Sequence, residues 1–346
     1  MSDAEQQSFD YSALTDKPVL VAGASGFVGS HTARLLVKQG RKVRVLVRKS
    51  SNTEALRDLD VEIHYGDVYD PDSLRAAMAG CGTVFYSVLD PRFWLTDPTP
   101  IYRCNVDGLV NAMDAALDTG IERFIFTSTM GTLGLNPNGP VTEDIEFNWY
   151  DRAGPYILAR LEAEKRFLSY CRDKGLPGVA LCIANTYGPE DYQPTPHGHM
   201  LWQVGSGKVG FIMEASAPSV DIRDAAQAAL LAEQYGRIGE RYIIANEYLS
   251  NKDFFTIATE LRGLKPPKQI PKKVAFVVAW IAERILKLLR RKDYLISTDA
   301  VFLSDAFGEM DTSKARRELH WTPRPVTETI RDALDWYAER EKQQAQ

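Results

Sequence analysis

The segment 19–31, which reads VLVAGASGFVGSH, limits the possible folds of this chain more than any other segment. An apolar run of strand character leads into Gly23, Gly26 and Gly29, and a helical pattern follows. Glycines at these points let backbone N–H groups approach a pyrophosphate closely, and the start of the helix adds partial positive charge. The residues expected to contact a dinucleotide here are Gly23, Ser25, Gly26, Phe27, Val28 and Gly29. A structural glycine turn without a ligand is the alternative.

Short apolar runs alternate with helical patterns as far as residue 185. Strands are predicted at 18–22, 43–47, 61–65, 83–88, 123–127, 179–184 and 241–245, and helices at 27–39, 73–79, 102–117, 155–172 and 224–234. Nearly continuous apolar strands between helices are typical of a parallel sheet that is covered on both faces. The sequence therefore predicts an α/β fold, a Rossmann-type doubly wound parallel sheet with a smaller C-terminal lobe.

The alternation stops after residue 185. Residues 187–199 are rich in Pro, Gly and His and are expected to form a loop, and a helical region broken by prolines is expected from 252 to the end. The expected dinucleotide-binding domain comprises 16–185 and 216–245, and the expected substrate-binding lobe comprises 186–215 and 246–346. Ligands bind at the carboxyl edge of open α/β sheets, so the lobe is expected to cover that edge.

Charge and cysteine content argue against several other classes of protein. The 346 residues carry a formal net charge of −5, so no basic surface is expected that would attract nucleic acid. The four cysteines form no Cys-x-x-Cys pair and no histidine lies at ligand spacing from them, so no metal site is expected. The first 15 residues lack the regions of a signal peptide, and no apolar run reaches about 18 residues. A cytoplasmic location is the resulting expectation.

The end of the second predicted strand indicates which dinucleotide binds. An NAD site usually places Asp or Glu there to bind the ribose 2′-hydroxyl. This chain has Arg48 and Lys49 at that point. A guanidinium can donate two parallel hydrogen bonds to a 2′-phosphate. NADP(H) is therefore the expected cofactor, and a solvated basic turn is the alternative.

Several motifs along the chain carry a family resemblance. The GxxGxxG spacing is joined by Asn105-Val-Asp-Gly108, Tyr156-xxx-Arg160, Val220-Asp221-Ile-Arg-Asp224 and Leu319-His-Trp321-Thr-Pro323. Together they resemble the extended branch of the short-chain dehydrogenase/reductase superfamily over nearly the whole chain. The Arg48 strand end and residues 92–95 are most similar to the subgroup of dihydroflavonol reductases, 3β-hydroxysteroid dehydrogenases and hopanoid-associated epimerase-like proteins.

The resemblance implies further cofactor contacts and an assembly. The residues concerned are Asp67, Val68, Ser87, Val88 and Thr127, together with Tyr156 and Arg160. The Asp67 carboxylate would accept a hydrogen bond from the adenine amine, and capping of the next helix is its alternative role. Relatives often pair through the helices here at 102–117 and 155–172, so a homodimer is implied.

The resemblance also implies a catalytic group. Thr129 has the family's spacing to Gly134, with Ser128 as the second choice, and Tyr156 supplies the phenol. Helical i,i+4 spacing places Arg160 on the same face as Tyr156, where a cation lowers the pKa of the phenol. The family has Lys at position 160, and arginine cannot pass on a proton as lysine can. An active enzyme adapted to arginine is expected, and a weakly active protein is the alternative.

The substrate is expected to be a bulky apolar molecule, such as a steroid, a lipid or a flavonoid. Cys182 and Ile183 replace the Arg-Pro pair that tends to accompany nucleotide-sugar substrates, and 186–215 contains one lysine, Lys208, and no arginine. The residues that could line an apolar pocket, or else pack the lobe, are Phe93, Trp94, Trp202, Phe211, Ile212 and Met213. The expected reaction interconverts a ketone and a secondary alcohol. A nucleotide-sugar epimerase or dehydratase and a dinucleotide-sensing protein without turnover are the alternatives.

The segment 272–292 is strongly apolar and ends in Arg290, Arg291 and Lys292. An ordinary helix of the lobe is one interpretation of this composition. Peripheral membrane contact is the other, because cations beside an apolar helix favour anionic headgroups.

Overall fold

A computed structural model describes residues 16–92, 95, 97–288 and 298–344. Its strands are β1 Val19–Ala22, β2 Val43–Val47, β3 Glu62–Tyr65, β4 Thr83–Tyr86, β5 Arg123–Thr129, β6 Gly178–Ile183, β7 Asn185–Tyr187, β8 Phe211–Met213, β9 Ser216–Asp221, β10 Arg241–Ile244, β11 Tyr248–Ser250 and β12 Lys268–Ile270. Seven of them form one sheet in the order β3-β2-β1-β4-β5-β6-β10. Every pair of neighbours in this sheet is parallel.

Helices cover both faces of the seven-stranded sheet. The helices of the described residues are α1 Phe27–Lys38, α2 Pro71–Met78, α3 Thr99–Tyr102, α4 Gly108–Thr119, α5 Pro155–Lys174, α6 Pro196–Gly205, α7 Ile222–Tyr235, α8 Asn251–Glu260, α9 Lys272–Leu288, α10 Thr298–Leu303, α11 Ser313–Glu318 and α12 Val326–Gln344. Along β1, Val19 and Val21 enter one core, whereas Leu20 and Ala22 enter the other. Burial on both faces explains the continuously apolar strand and confirms the predicted doubly wound α/β fold.

A smaller lobe follows in the C-terminal half. Its core is formed by α6, α8 and α12, which contribute Leu201, Phe254 and Ile330 respectively. Two small sheets, β11-β9-β7 and β12-β8, connect these helices to the main body. The lobe therefore has a hydrophobic core of its own beside the two cores of the large sheet.

Two segments in this half contain regular structure that the sequence did not predict. The loop expected at 187–199 is ordered at both ends, since β7 ends at Tyr187 and α6 begins at Pro196. Thr195 caps that helix by accepting a hydrogen bond from the Gly198 N–H at 3.1 Å. The helical region expected from 252 onwards is broken near its prolines as expected, but the strand formed in that break, β12, was not predicted; it pairs with β8 across more than fifty residues of chain.

The order of the strands locates the ligand crevice. The chain moves from β1 to one side through β2 and β3 and then crosses to β4 on the other side. Neighbouring connections therefore leave on opposite faces of the sheet, and the carboxyl ends of β1 and β4 border an open crevice. The glycine loop follows β1, and Ser87 follows β4.

Candidate active site

The glycine loop has two glycines that packing within the protein requires and one that it does not. Gly23 has φ +84°, and a Cβ there would lie 2.7 Å from the Ser87 carbonyl oxygen. A Cβ on Gly29 would lie 2.2 Å from the Gly23 oxygen. At Gly26 the nearest atom would be 3.4 Å away, so packing within the protein does not require this glycine. Gly26 is the N-cap residue of α1, and no side chain caps the first N–H groups of this helix. This cradle fits an anion such as a dinucleotide pyrophosphate.

The turn after β2 presents cations at the same edge of the sheet. Arg48 and Lys49 are both exposed. The Arg48 N–H donates to the Ser51 hydroxyl at 3.2 Å, and the Ser51 N–H donates back to the Arg48 carbonyl at 2.9 Å. The turn is therefore fixed by the backbone and the Ser51 hydroxyl, and the Arg48 side chain lies at the surface.

Asp67 and Val68 follow β3, at the carboxyl edge of the sheet. The Asp67 carboxylate accepts a hydrogen bond from the Tyr69 N–H at 3.1 Å. The cap of α2 is Asp70, which accepts from the N–H groups of Asp72 and Ser73. The alternative that Asp67 caps this helix is therefore wrong.

Three more of the expected cofactor residues lie at the ends of β4 and β5. The hydroxyl groups of Ser87 and Thr127 are 2.8 Å apart and hydrogen-bonded. The Ser87 N–H donates to the Ala22 carbonyl at 2.9 Å, so the end of β4 is hydrogen-bonded to the end of β1. Val88 follows Ser87 and packs at the edge of the second core. These residues share one border of the crevice with Gly23.

Tyr156 lies in the first turn of α5, directly after Pro155. Its half-buried ring contacts both cores of the large sheet, which places it at the sheet's carboxyl edge. Thr129 ends β5 nearby, because the turn Met130–Thr132 packs against the start of α5 through Ile157. The Thr129 hydroxyl accepts from the Gly131 N–H at 3.2 Å and keeps its own proton available to donate.

Ser128, the second choice for the catalytic hydroxyl, is engaged elsewhere. It is buried, and its hydroxyl donates to the Glu164 carboxylate. That carboxylate also accepts from the Thr132 hydroxyl at 2.8 Å and from the Arg241 guanidinium at 2.7 Å. This buried network was not predicted from the sequence. The spacing of Tyr156, Arg160 and Glu164, four residues apart on one helix, is the signal that could have revealed it.

Arg160 lies beneath the site and is 1% exposed. Its guanidinium donates to the Thr127 carbonyl at 2.5 Å and to the Asn105 side-chain oxygen at 3.5 Å. It also lies over the ring of Phe126, 5.1 Å from the ring centroid. Its Nε is buried without a hydrogen-bond partner among the described residues. Arg160 thus binds the carboxyl end of β5 to the segment between α3 and α4.

Asn105 belongs to a π-helical turn, Arg103–Asp107, within the helix predicted at 102–117. Its amide donates to the carbonyls of Asp90 and Ile101 at 3.1 and 2.9 Å. Single π turns inside α-helices often mark functional sites. Here the turn lets Asn105 contact both Arg160 and the loop after β4. The sequence motif identified Asn105, but not these contacts.

The electrostatics of Tyr156 differ from the expectation. Burial raises the pKa of the Tyr156 phenol, and the positive charge of Arg160 opposes this rise only in part. The Asp90 carboxylate adds to the increase. The predicted direction of the Arg160 effect is correct, but the prediction of a lowered pKa is wrong because burial dominates. The phenol is held in its protonated form at neutral pH.

Some of the apolar residues expected around the substrate pack within the lobe, and others are exposed. Trp202 stacks on Tyr337 with centroids 5.8 Å apart, and Ile212 is buried in the core of the lobe. Phe211 is 59% exposed. Phe93 and Trp94 lie outside the described residues. The alternative of core packing therefore holds for Trp202 and Ile212.

The described residues contain no cluster of three or more His, Cys, Asp or Glu side chains that could hold a metal ion. In the same residues, no helix is long and apolar enough to cross a membrane. The site is thus built from a glycine cradle, hydroxyl groups, a phenol and a buried guanidinium at one edge of a doubly wound sheet.

This chain belongs to the NAD dependent epimerase/dehydratase family, an extended short-chain dehydrogenase/reductase family, whose sequence profile matches residues 19–245. A putative dihydroflavonol 4-reductase from Synechocystis sp. is 30% identical over 323 residues, covering 92% of this chain and 93% of that protein. Sterol demethylase protein B from Methylococcus capsulatus is 27% identical, covering 93% and 98% of the two chains. The crystal structure of gox2253 superposes with a TM-score of 0.83 at 32% identity, covering 93% of this chain and 98% of that one.

Proposed function

We propose that this protein is an NADP(H)-dependent oxidoreductase that interconverts a ketone and a secondary alcohol on a bulky apolar substrate. The observation that carries the proposal is the position of Tyr156 and Thr129 at the same carboxyl edge as the glycine cradle around Gly26. A proton donor, a hydrogen-bond donor and a dinucleotide site in one crevice are the requirements of carbonyl reduction. The resemblance to a putative dihydroflavonol 4-reductase supports this class of reaction.

In this mechanism the chain's own groups handle the proton and the carbonyl oxygen. Tyr156 donates its proton to the carbonyl oxygen, and the Thr129 hydroxyl donates a hydrogen bond to the same oxygen. Arg160 holds the β5 end in place and its charge stabilises the phenolate that remains. When bound, NADPH supplies the hydride. The residues proposed to hold it surround the crevice from Gly23 to Thr127.

The preference for NADP(H) is assigned to Arg48, with Lys49 adding charge. Arg48→Ala should weaken NADPH binding about tenfold or more and leave NADH binding nearly unchanged, because a charged hydrogen bond contributes about 1.5–3 kcal/mol. Calorimetric titration of both cofactors measures this. Arg57→Ala, at another exposed arginine of the same region, is the matched control. Equal affinity of the unaltered protein for NADPH and NADH would exclude this role of Arg48.

The substrate is proposed to be a steroid, flavonoid or lipid ketone bound by the lobe at 186–215 and 246–346. Sterol demethylase protein B, a relative over nearly the whole chain, supports a sterol-like substrate by its name. The family's description favours a second candidate, a nucleotide-sugar epimerase or dehydratase. A panel of ketosteroids, flavonoid ketones and nucleotide sugars, followed by loss of NADPH absorbance and by product analysis, tests both. NADPH binding without turnover of any class would indicate a dinucleotide-sensing protein.

A further inference from the structure

Helix α9, Lys272–Leu288, has its apolar side turned away from the protein. Its apolar stripe consists of Val274, Val277, Val278, Ile281 and Ile285, which are 46–55% exposed. Their spacing of three, four, seven and eleven residues places them on one face of a helix. An amphipathic helix of a globular protein normally buries such a face against the core. The apolar stripe therefore lacks a packing partner among the described residues, and we look for one outside them.

The opposite face of α9 is the one that contacts the protein, and its anchors are polar. The Lys272 ammonium pairs with the Asp305 carboxylate at 2.5 Å. The Glu283 carboxylate accepts hydrogen bonds from the backbone N–H and the hydroxyl of Thr298 at 2.6 and 3.0 Å. Ala279, between them on this face, is buried. The orientation is thus fixed by specific polar contacts that direct the apolar stripe outwards.

Aromatic and cationic side chains border the stripe. Trp280 is 45% exposed, and the Arg284 guanidinium stacks on its ring, 4.0 Å from the ring centroid. Lys273 is exposed at the first turn of the helix. Aromatic rings beside cations at the edge of an apolar face are typical of helices that lie at a membrane–water interface.

The surface extends beyond α9. The strand β12 leads directly into the helix, and its Lys268 pairs in register with Phe211 of β8. Both residues are exposed, as is Lys265 just before them. The sequence continues after α9 with Arg290, Arg291 and Lys292, which lie outside the described residues. Described cations therefore occur around the start of the apolar stripe, at Lys265, Lys268 and Lys273.

We propose that α9 binds the surface of an anionic phospholipid bilayer, with its apolar stripe among the upper acyl segments and its flanking cations at the headgroups. Seventeen residues form a helix about 26 Å long, which suits a position along the interface. Pairing with a second copy is disfavoured by charge. An antiparallel two-fold pair, which brings the same flank of both helices together, would set Lys273 of one copy near Arg284 of the other. Anionic headgroups satisfy these cations.

This proposal does not depend on the proposed reaction, and its test contains neither cofactor nor ketone. The full-length protein is sedimented with vesicles of phosphatidylcholine alone or with about one third phosphatidylglycerol. Binding should be at least about tenfold tighter to the anionic vesicles and should weaken in 0.5 M salt, because the cations are screened. Absence of sedimentation with the anionic vesicles overturns the proposal.

Two double variants locate the contact. Val277→Asp with Ile281→Asp should reduce vesicle binding about tenfold or more, since each charge would enter the acyl region. Ile63→Asp with Ile238→Asp makes the same change at exposed isoleucines outside α9 and should bind like the unaltered protein. Equal losses in both variants contradict the assignment to α9. Unchanged vesicle binding combined with loss of a dimer in the α9 variant would identify the stripe as an interface between copies.

Trp280 gives a direct reading of insertion. Brominated acyl chains quench only tryptophans that reach the bilayer, so they should quench part of the fluorescence of the protein's six tryptophans. Trp280→Phe should abolish most of that quenching while binding persists. Quenching that survives this substitution would place the inserted surface elsewhere.

Discussion

Arg160 differs from lysine in the number of acceptors it can reach at once. Its guanidinium contacts both the Thr127 carbonyl and the Asn105 side chain while lying over Phe126. A lysine ammonium is a point charge on a flexible stem and cannot reproduce this planar fork. The arginine therefore carries a structural role together with the positive charge that the family's lysine supplies. Asn105 and Thr127 are arranged around this guanidinium.

Replacing Arg160 by the family's lysine should lower activity. Arg160→Lys leaves at least one buried acceptor without its donor, and a buried charged hydrogen bond contributes about 1.5–3 kcal/mol. We expect both turnover and the free energy of unfolding to fall. Arg166→Lys makes the same change on the exposed side of the same helix, where Arg166 pairs with Glu162, and should alter neither. Higher turnover in Arg160→Lys would show that the arginine is a decayed lysine.

The raised pKa of Tyr156 predicts the pH dependence of the reaction. Burial keeps the phenol protonated, so the form that donates a proton is present below its pKa and is lost as pH rises through that value. Reduction should be nearly independent of pH from 7 to about 10, the usual tyrosine pKa, whereas alcohol oxidation should accelerate with pH. Rates of both directions across this range measure it. A reduction rate that falls near pH 7 would contradict the raised pKa.

Removing the Tyr156 hydroxyl measures what this proton donor contributes to turnover. Tyr156→Phe should reduce turnover about 10²- to 10⁴-fold, as is typical for the loss of a general acid. NADPH affinity should fall by about tenfold at most, the value of one hydrogen bond. The unfolding midpoint should change little, since the ring keeps its place between the two cores. Stopped-flow turnover and calorimetric titration separate the two effects. Turnover at the unaltered rate would end the reductase proposal.

At the scale of elements, α5 is joined to the sheet through Glu164. This carboxylate is 1% exposed and is bonded to Ser128 of β5 and to Arg241 of β10. Burying an ion pair is costly, yet removing one partner is worse because it leaves the other charge without compensation. The Glu164–Arg241 pair therefore fixes the angle at which α5 presents Tyr156.

Glu164→Gln should destabilise the fold by about 3 kcal/mol, since it removes the buried carboxylate that is ion-paired with Arg241. Glu162→Gln, two residues away on the exposed side of α5, should cost less than about 1 kcal/mol. Urea unfolding at neutral pH compares the two. Equal losses of the free energy of unfolding would show that the buried pair is not what secures α5.

How much of these elements the sequence predicts depends on the range of the contacts that form them. The β1 strand and α1 were predicted within one residue, because apolar runs and glycines act locally. The strands of the lobe were missed, because β8 and β12 are three residues long and form only through each other. The range of the contacts also decides which parts of the candidate active site the sequence predicts. Tyr156 and Arg160 follow from spacing, whereas the partners of Glu164 lie up to 77 residues away in the chain.

At the scale of the whole molecule, the faces of α3, α4 and α5 that point away from the sheet are the proposed dimer surface. A groove between them is lined by Tyr102, Asp107, Leu158 and Lys165. A two-fold axis presents the same patch on both copies, so the Asp107 and Lys165 of one copy can face the opposite charges of the other. The proposed dimer thus buries exposed aromatic surface and pairs charges of opposite sign.

Light scattering at micromolar concentration should give twice the chain mass of 38.8 kDa. Tyr102→Glu with Tyr150→Glu should raise the dimer dissociation constant at least about tenfold, because exposed tyrosines are frequent anchors of interfaces. Tyr65→Glu with Tyr235→Glu makes the same change at exposed tyrosines elsewhere and should remain dimeric. The Val277→Asp, Ile281→Asp variant should also remain dimeric, since α9 lies on the lobe and is assigned to lipid. A monomer mass for the unaltered protein would refute the dimer, and dissociation of the α9 variant alone would move the interface to the lobe.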